Sequence, residues 1–160
     1  MVDLGGTHLG GFRKATTELD LHLRVYQERA DVGAVVHAHP PIATGFAVAG
    51  EGLPGDVLSE LILTLGEVPL VPYATPGTPA VGAGVAPFAR RYEGVLLANH
   101  GAVTWAVDIV TARIRMESLE HSARILQAAR SVGQPQALAP DQVQALARPR
   151  RKQGHDQAES

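Results

Sequence analysis

There is no cysteine among the 160 residues of this chain. Disulfides, thiolate zinc sites and a cysteine nucleophile are thereby excluded together, and any transition-metal site must be built from histidine and carboxylate. Surplus charge is also scarce. The formal net value is -2, and Lys and Arg are scattered apart from Arg148-Pro149-Arg150-Arg151-Lys152 near the end. Nucleic acid is therefore a poor candidate partner. No uninterrupted apolar run approaches the roughly 20 residues of a membrane-spanning helix. The opening Met1-Val2-Asp3-Leu4-Gly5-Gly6 carries neither the basic n-region nor the apolar h-region of a signal peptide. A cytoplasmic protein without nucleic-acid or membrane partners is the expectation. With 45% hydrophobic residues, the chain can bury one real core. Residues 1–147 are expected to form that single domain, and residues 148–160 a polar, disordered tail.

The most informative stretch is Val32-Gly33-Ala34-Val35-Val36-His37-Ala38-His39-Pro40. Side chains alternate across a strand, so Gly33, Val35, His37 and His39 share one face. Pro40 ends the strand, and with Pro41 it suits the first turn of a helix from Ile42 to Val48. Two imidazoles are thus presented at a strand-to-helix turn, although either could equally be a hydrogen-bonded core residue or a surface group.

Before this strand, residues 1–13 are rich in glycine and suggest a hairpin or loop. Thr16 or Thr17 can cap a helix running to about Ala30, with Glu18 and His22 on one face. Glu18 taken alone is an acidic first-turn residue that suits the helix dipole. Further on, Val57 to Leu65 is open between helix and strand, and Val68 to Tyr73 is extended. Ala74 to Thr78 forms a turn opening a helix from about Pro79 to Arg91. Gly94-Val95-Leu96-Leu97-Ala98 is a fully apolar strand of the kind buried on both faces, and Ala102-Val103-Thr104-Trp105 resumes as a strand. Asp108 caps the longest helix, which Gly133 closes. Its stripe of Ile109, Ala112, Met116, Leu119, Ala123 and Leu126 should pack on the sheet. Pro140 opens a last helix through Ala147.

His100 follows the apolar strand with a glycine beside it, an address like that of His37 and His39. Three such imidazoles, with Glu18 in the same neighbourhood, match the donor set of a catalytic zinc-type centre. His8, His121 and His155 lack that setting. His121 reads as a solvent-facing helix residue, and the other two as mobile.

Val35-Val36-His37-Ala38-His39-Pro40-Pro41, preceded by Thr16-Thr17-Glu18, is followed by Val71-Pro72-Tyr73-Ala74-Thr75-Pro76-Gly77-Thr78 and by Leu96-Leu97-Ala98-Asn99-His100-Gly101. This order of motifs resembles the class II aldolase/adducin family. The resemblance implies an α/β fold, a three-layer α/β/α sandwich with a mostly antiparallel central sheet, and a homotetramer with sites at subunit interfaces. It implies Zn2+ or another divalent transition metal on His37, His39 and His100, with Glu18 as acid/base and as a further metal ligand when substrate is absent. Thr16 and Thr17 would contact substrate phosphate. The implied activity is metal-dependent cleavage of a small phosphorylated ketose, like L-fuculose 1-phosphate, to dihydroxyacetone phosphate and an aldehyde. A 4-epimerase acting on a compound like L-ribulose 5-phosphate is the nearest rival, and a non-catalytic adducin-like or inactive metal-binding domain is the rival from another class. The family opens with a helix and strand pair carrying a phosphate-binding loop, so this chain is expected to lack the N-terminal segment.

Overall fold

A computed structural model describes the backbone of residues 1–155 and the side chains of residues 1–147. In chain order it contains α1 (Leu19–Glu28), β1 (Ala34–Ala38), α2 (Pro41–Val48), α3 (Ser59–Thr64), β2 (Leu70–Val71), α4 (Pro79–Ala89), β3 (Gly94–Leu97), β4 (Gly101–Ala106), α5 (Ile109–Val132) and α6 (Pro140–His155). The strands make one sheet in the order β1-β4-β3-β2. β4 pairs antiparallel with both β1 and β3, while β2 runs parallel to β3. The sheet is thus mixed and mostly antiparallel, as expected.

Alternation along the strands sorts the core into two halves. Leu96 and Ala102 point to one side, with Val36 and Ala38 against them. There they meet Ala43 and Phe46 of α2, Leu61 of α3, and Met116, Leu119, Ala123 and Leu126 of α5. Val35, Val95, Leu97, Val103 and Trp105 point to the other side, against Leu21 and Val25 of α1 and Val81, Val85 and Ala89 of α4. Helices therefore cover both faces, and the three layers follow. His37 has the parity of Val35, so it belongs to the face covered by α1, and this is what allows it to meet the start of that helix.

Several boundaries differ from the sequence expectation. α1 begins at Leu19, later than a cap at Thr16 or Thr17 places it, after a turn in which the Thr16 hydroxyl accepts the Glu18 N–H at 3.2 Å and the Thr16 carbonyl the Leu19 N–H at 3.3 Å. Neither threonine caps the helix; Glu18 occupies that position without a side-chain capping bond. The helix ends at Glu28, where Arg29 becomes extended. The open segment 57–65 resolves as α3, tied to α5 by a 2.9 Å bond between the Thr64 and Ser118 hydroxyls. Asp108 does cap α5, its carboxylate accepting from Thr111 N–H at 2.7 Å. The stripe on α5 starts at Ala112, however: Ile109 directly follows the cap and stands 60% exposed.

The glycine-rich opening is a small hairpin, bridged between Val2 and His8. Asp3 braces its turn by accepting from the N–H groups of Gly5 and Thr7 at 2.9 and 2.8 Å. His8, expected to be mobile, is therefore a paired residue of that hairpin. His121 is exposed on α5, as expected. The backbone of α6 continues past Ala147 to His155, so the tail expected to be disordered is helical over that part; residues 156–160 lie outside the described residues. No helix among the described residues is long and apolar enough to cross a membrane.

Candidate metal centre

β1 delivers His37 from within the strand and His39 just past its end, before Pro40 and Pro41 turn the chain into α2. His100 lies in the tight turn between β3 and β4, whose antiparallel register closes with Leu97 opposite Gly101. Asn99 makes that turn possible by adopting a φ of 56°, a left-handed conformation that asparagine tolerates better than most residues. Glu18 reaches the same point from the start of α1. Strand alternation, the β3–β4 turn and the α1 cap position thus converge four side chains.

The convergence is close. One ligand atom from each of Glu18, His37, His39 and His100 lies within 4.8 Å of all the others. Glu18 Oε2 is 2.7 Å from His37 Nε2, and Oε1 is 3.4 Å from His100 Nε2. The Nε2 atoms of His37 and His39 are 3.2 Å apart. All three pairs of imidazole centroids are separated by 4.9 Å. Glu18, His37 and His100 are nearly buried, with 10–11% side-chain exposure, whereas His39 is exposed and forms the solvent side.

The donor chemistry fits a divalent cation. His37 Nδ1 lies 2.9 Å from the Ala102 carbonyl, a bond in which the ring nitrogen must donate. A neutral ring then keeps its lone pair on Nε2, which faces a carboxylate oxygen and a second imidazole nitrogen. Glu18 Oε1 is buried and accepts no hydrogen bond. So many lone pairs aimed at one point repel one another unless a positive charge lies among them. The Ala102 carbonyl is the type of outer partner that fixes a ligand's tautomer and ring orientation. Burial, partly countered by Glu18 and reinforced by His37 and His39, lowers the pKa of His100 and favours the neutral, ligating form. His22 is half-buried nearby, and burial followed by the influence of His37 lowers its pKa too, while Glu18 opposes the shift.

Thr16 and Thr17 stand outside this quartet as exposed residues beside Glu18. Three features are not apparent from sequence spacing. One is the Ala102 carbonyl. A second is the bare α-carbon of Gly101, against which the His39 ring packs: a Cβ there would lie 2.4 Å from His39 Cδ2 and 2.7 Å from Ala38 O. The third is Glu120 of α5, whose carboxylate accepts from the N–H groups of Ile42 and Ala43 at the start of α2. The glycine beside His100 was the only sequence signal for any of them.

Residues 1–127 match the family model of the Class II Aldolase and Adducin N-terminal domain. The 5-deoxy-D-ribulose 1-phosphate aldolase of Bacillus thuringiensis serovar kurstaki is 36% identical over 149 residues, covering 92% of this chain and 69% of that protein. The 3-oxo-tetronate 4-phosphate decarboxylase of Cupriavidus necator is 36% identical over 128 residues, covering 78% of this chain and 58% of its own length. A solved L-fuculose 1-phosphate aldolase superposes with a TM-score of 0.88 at 31% identity, covering 94% of this chain and 70% of that one. The chain thus spans between 58% and 69% of the length of these two curated relatives. In sequence, in sheet topology and in the order of its elements, the chain belongs to the class II aldolase and adducin family.

Proposed function

We propose that the chain is a metal-dependent lyase that cleaves a small phosphorylated ketose between C3 and C4, releasing dihydroxyacetone phosphate and an aldehyde. The observation that carries this reading is the convergence of His37, His39, His100 and Glu18 on one point. In it the three imidazoles hold Zn2+ or a related divalent ion, and Glu18 joins them when substrate is absent. When bound, the ion supplies positive charge where the ketose oxygens become negative. As the C3–C4 bond breaks, its electron pair stays on C3 and the C4 hydroxyl gives its proton to water so that C4 becomes the aldehyde; Glu18 in its acid form delivers one proton to C3, and in the reverse direction its carboxylate removes it. Thr16 and Thr17 donate hydroxyl hydrogen bonds to the phosphate near the start of α1. The Thr16 oxygen already accepts from Glu18 N–H, which leaves its hydrogen free to do so. Dependence on a sugar phosphate accords with a cytoplasmic site of action.

The decarboxylase relative is as similar, at 36% identity, as the aldolase relative, and this favours one second reading. Loss of CO2 from a phosphorylated 3-oxo acid leaves negative charge on the same kind of oxygen pair, so the same donor set serves it.

The deciding experiment assays the protein, zinc-loaded and zinc-stripped, on three compounds. Release of dihydroxyacetone phosphate from 5-deoxy-D-ribulose 1-phosphate or L-fuculose 1-phosphate is the expected result, and it should vanish with the ion. CO2 released from 3-oxo-tetronate 4-phosphate instead would select the second reading. Bound zinc with no carbon-carbon cleavage on any of the three would refute catalysis and leave a metal-binding module.

A further inference from the structure

α2 begins without the usual means of capping a helix. Its cap position is Pro40 and its first residue is Pro41, and neither provides a side-chain capping bond. Both prolines also lack an N–H, so the first free donors are those of Ile42 and Ala43; Thr44 N–H already bonds to Pro40 O at 2.9 Å. Those two donors are taken by a residue nearly eighty positions away. The Glu120 carboxylate accepts from Ile42 N–H at 3.2 and 3.1 Å and from Ala43 N–H at 2.9 Å. Its side chain is 15% exposed and is steadied by Arg124 at 3.3 Å. A carboxylate at this position also suits the positive end of the helix dipole.

The turn held in this way is the one that carries His39. Among the four converging residues, His37 has an outer hydrogen bond, to Ala102 O. Among the described residues His39 has none on its Nδ1: its contacts are the His37 nitrogen, the neighbouring rings and the bare face of Gly101. The orientation of the most exposed ring therefore depends on where the backbone of His39-Pro40-Pro41 is anchored. On one side that anchor is β1, and on the other it is the first turn of α2.

We infer that Glu120 is a positioning residue for the metal centre, fixing His39 through the N-terminal turn of α2 without touching the ion. This role rests on the metal-binding reading above, and its test measures binding rather than turnover. Co2+ serves as the probe, titrated into metal-free protein against a chelator, with its visible absorption reporting ligand geometry. Glu120→Gln keeps one acceptor oxygen, and Glu120→Ala keeps none. Two controls accompany them: Arg124→Ala removes only the partner of Glu120, and Asp108→Ala removes the cap of α5 without touching α2.

The expected result is Co2+ affinity reduced by about tenfold or more in both Glu120 variants, the order seen when an outer contact that orients a ligand is lost. Their spectra should be altered, and both controls should bind as the wild type does. Should Glu120→Ala fail to fold, Glu120→Gln decides. Wild-type affinity and spectrum in Glu120→Gln would overturn the inference and leave Glu120 as a structural cap. An equal loss in Asp108→Ala would also overturn it, since general loosening would then explain the effect. Failure of the wild type itself to bind Co2+ would overturn the metal centre, and this role with it.

Discussion

Gly101→Ala should damage the fold and the metal centre together, and the two effects can be read separately. The added Cβ meets His39 Cδ2 at 2.4 Å and Ala38 O at 2.7 Å. The imidazole, on the solvent side, can swing away. The Ala38 carbonyl cannot, because it belongs to the backbone of β1 beside the Ala38–Ala102 pair. Overpacking of this kind costs about 1–3 kcal/mol. At roughly 2–4 °C per kcal/mol for a domain of this size, the midpoint should fall by roughly 2–12 °C. Measured with EDTA present, that fall is free of any contribution from a bound ion. Swinging of the ring should separately weaken Co2+ binding by about tenfold or more. Gly45→Ala is the matched control: this glycine lies inside α2 with nothing within 4 Å of a built Cβ, so alanine should add about 0.5–1 kcal/mol through reduced chain entropy. A Gly101→Ala protein that melts at or above the wild-type midpoint and binds Co2+ normally would refute the packing argument.

Glu18→Gln should weaken metal binding, since a ligand is lost, and at saturating metal turnover should still fall on the order of 10²–10⁴; full activity would remove Glu18 from proton transfer. His39→Ala, by contrast, should lose both ion and activity, checked by metal analysis after dialysis. The Asp108 carboxylate is held below its ordinary value of 3.8, first by Thr111 N–H, so its capping contribution is complete above that pH and is lost as pH falls through the lowered folded value. Denaturant midpoints of wild type and Asp108→Asn compared between pH 6 and 2 should therefore converge or cross only at the acid end, and a difference that changes between pH 6 and 5 would contradict this. Phe12 is 96% exposed, and Val107, Ile109 and Val110 are 57–60% exposed, apolar surface that association would cover; light scattering over a wide concentration range is expected to give the mass of an oligomer, and a monomer mass throughout would count against it.

The parts of this molecule written in local pattern were legible without coordinates. β3 follows from a short uninterrupted apolar run, the Asp108 cap from a single residue type at a helix start, and the 112–126 stripe from a period of three to four residues. His37, His39 and His100 stood out because strand ends are where polar groups emerge from a buried sheet. Glu18 was harder, since its sequence neighbours explain it equally well as a helix-start acid. The start of α1 was placed too early because a threonine turn of this kind, with Thr16 accepting the Glu18 N–H, has the same local signature as a helix cap. Glu120 was invisible, as its partners lie 77 and 78 residues away. Nothing in a one-dimensional pattern pairs an acid on one helix with the proline-started end of another.

The bond from His37 to Ala102 also bears on how fast an ion could influence the protein. Its two ends are 65 residues apart, and the ring is aimed only once β1 has zipped against β4. Closing so long a loop is an entropic cost met before any ligand set exists. An ion that needs the finished quartet has nothing to grip while that strand pairing is still forming. Where that pairing completes only after the folding barrier, the ion's binding energy falls on the native side of it, and added metal should prolong the lifetime of the folded chain while leaving the rate of its formation nearly unchanged.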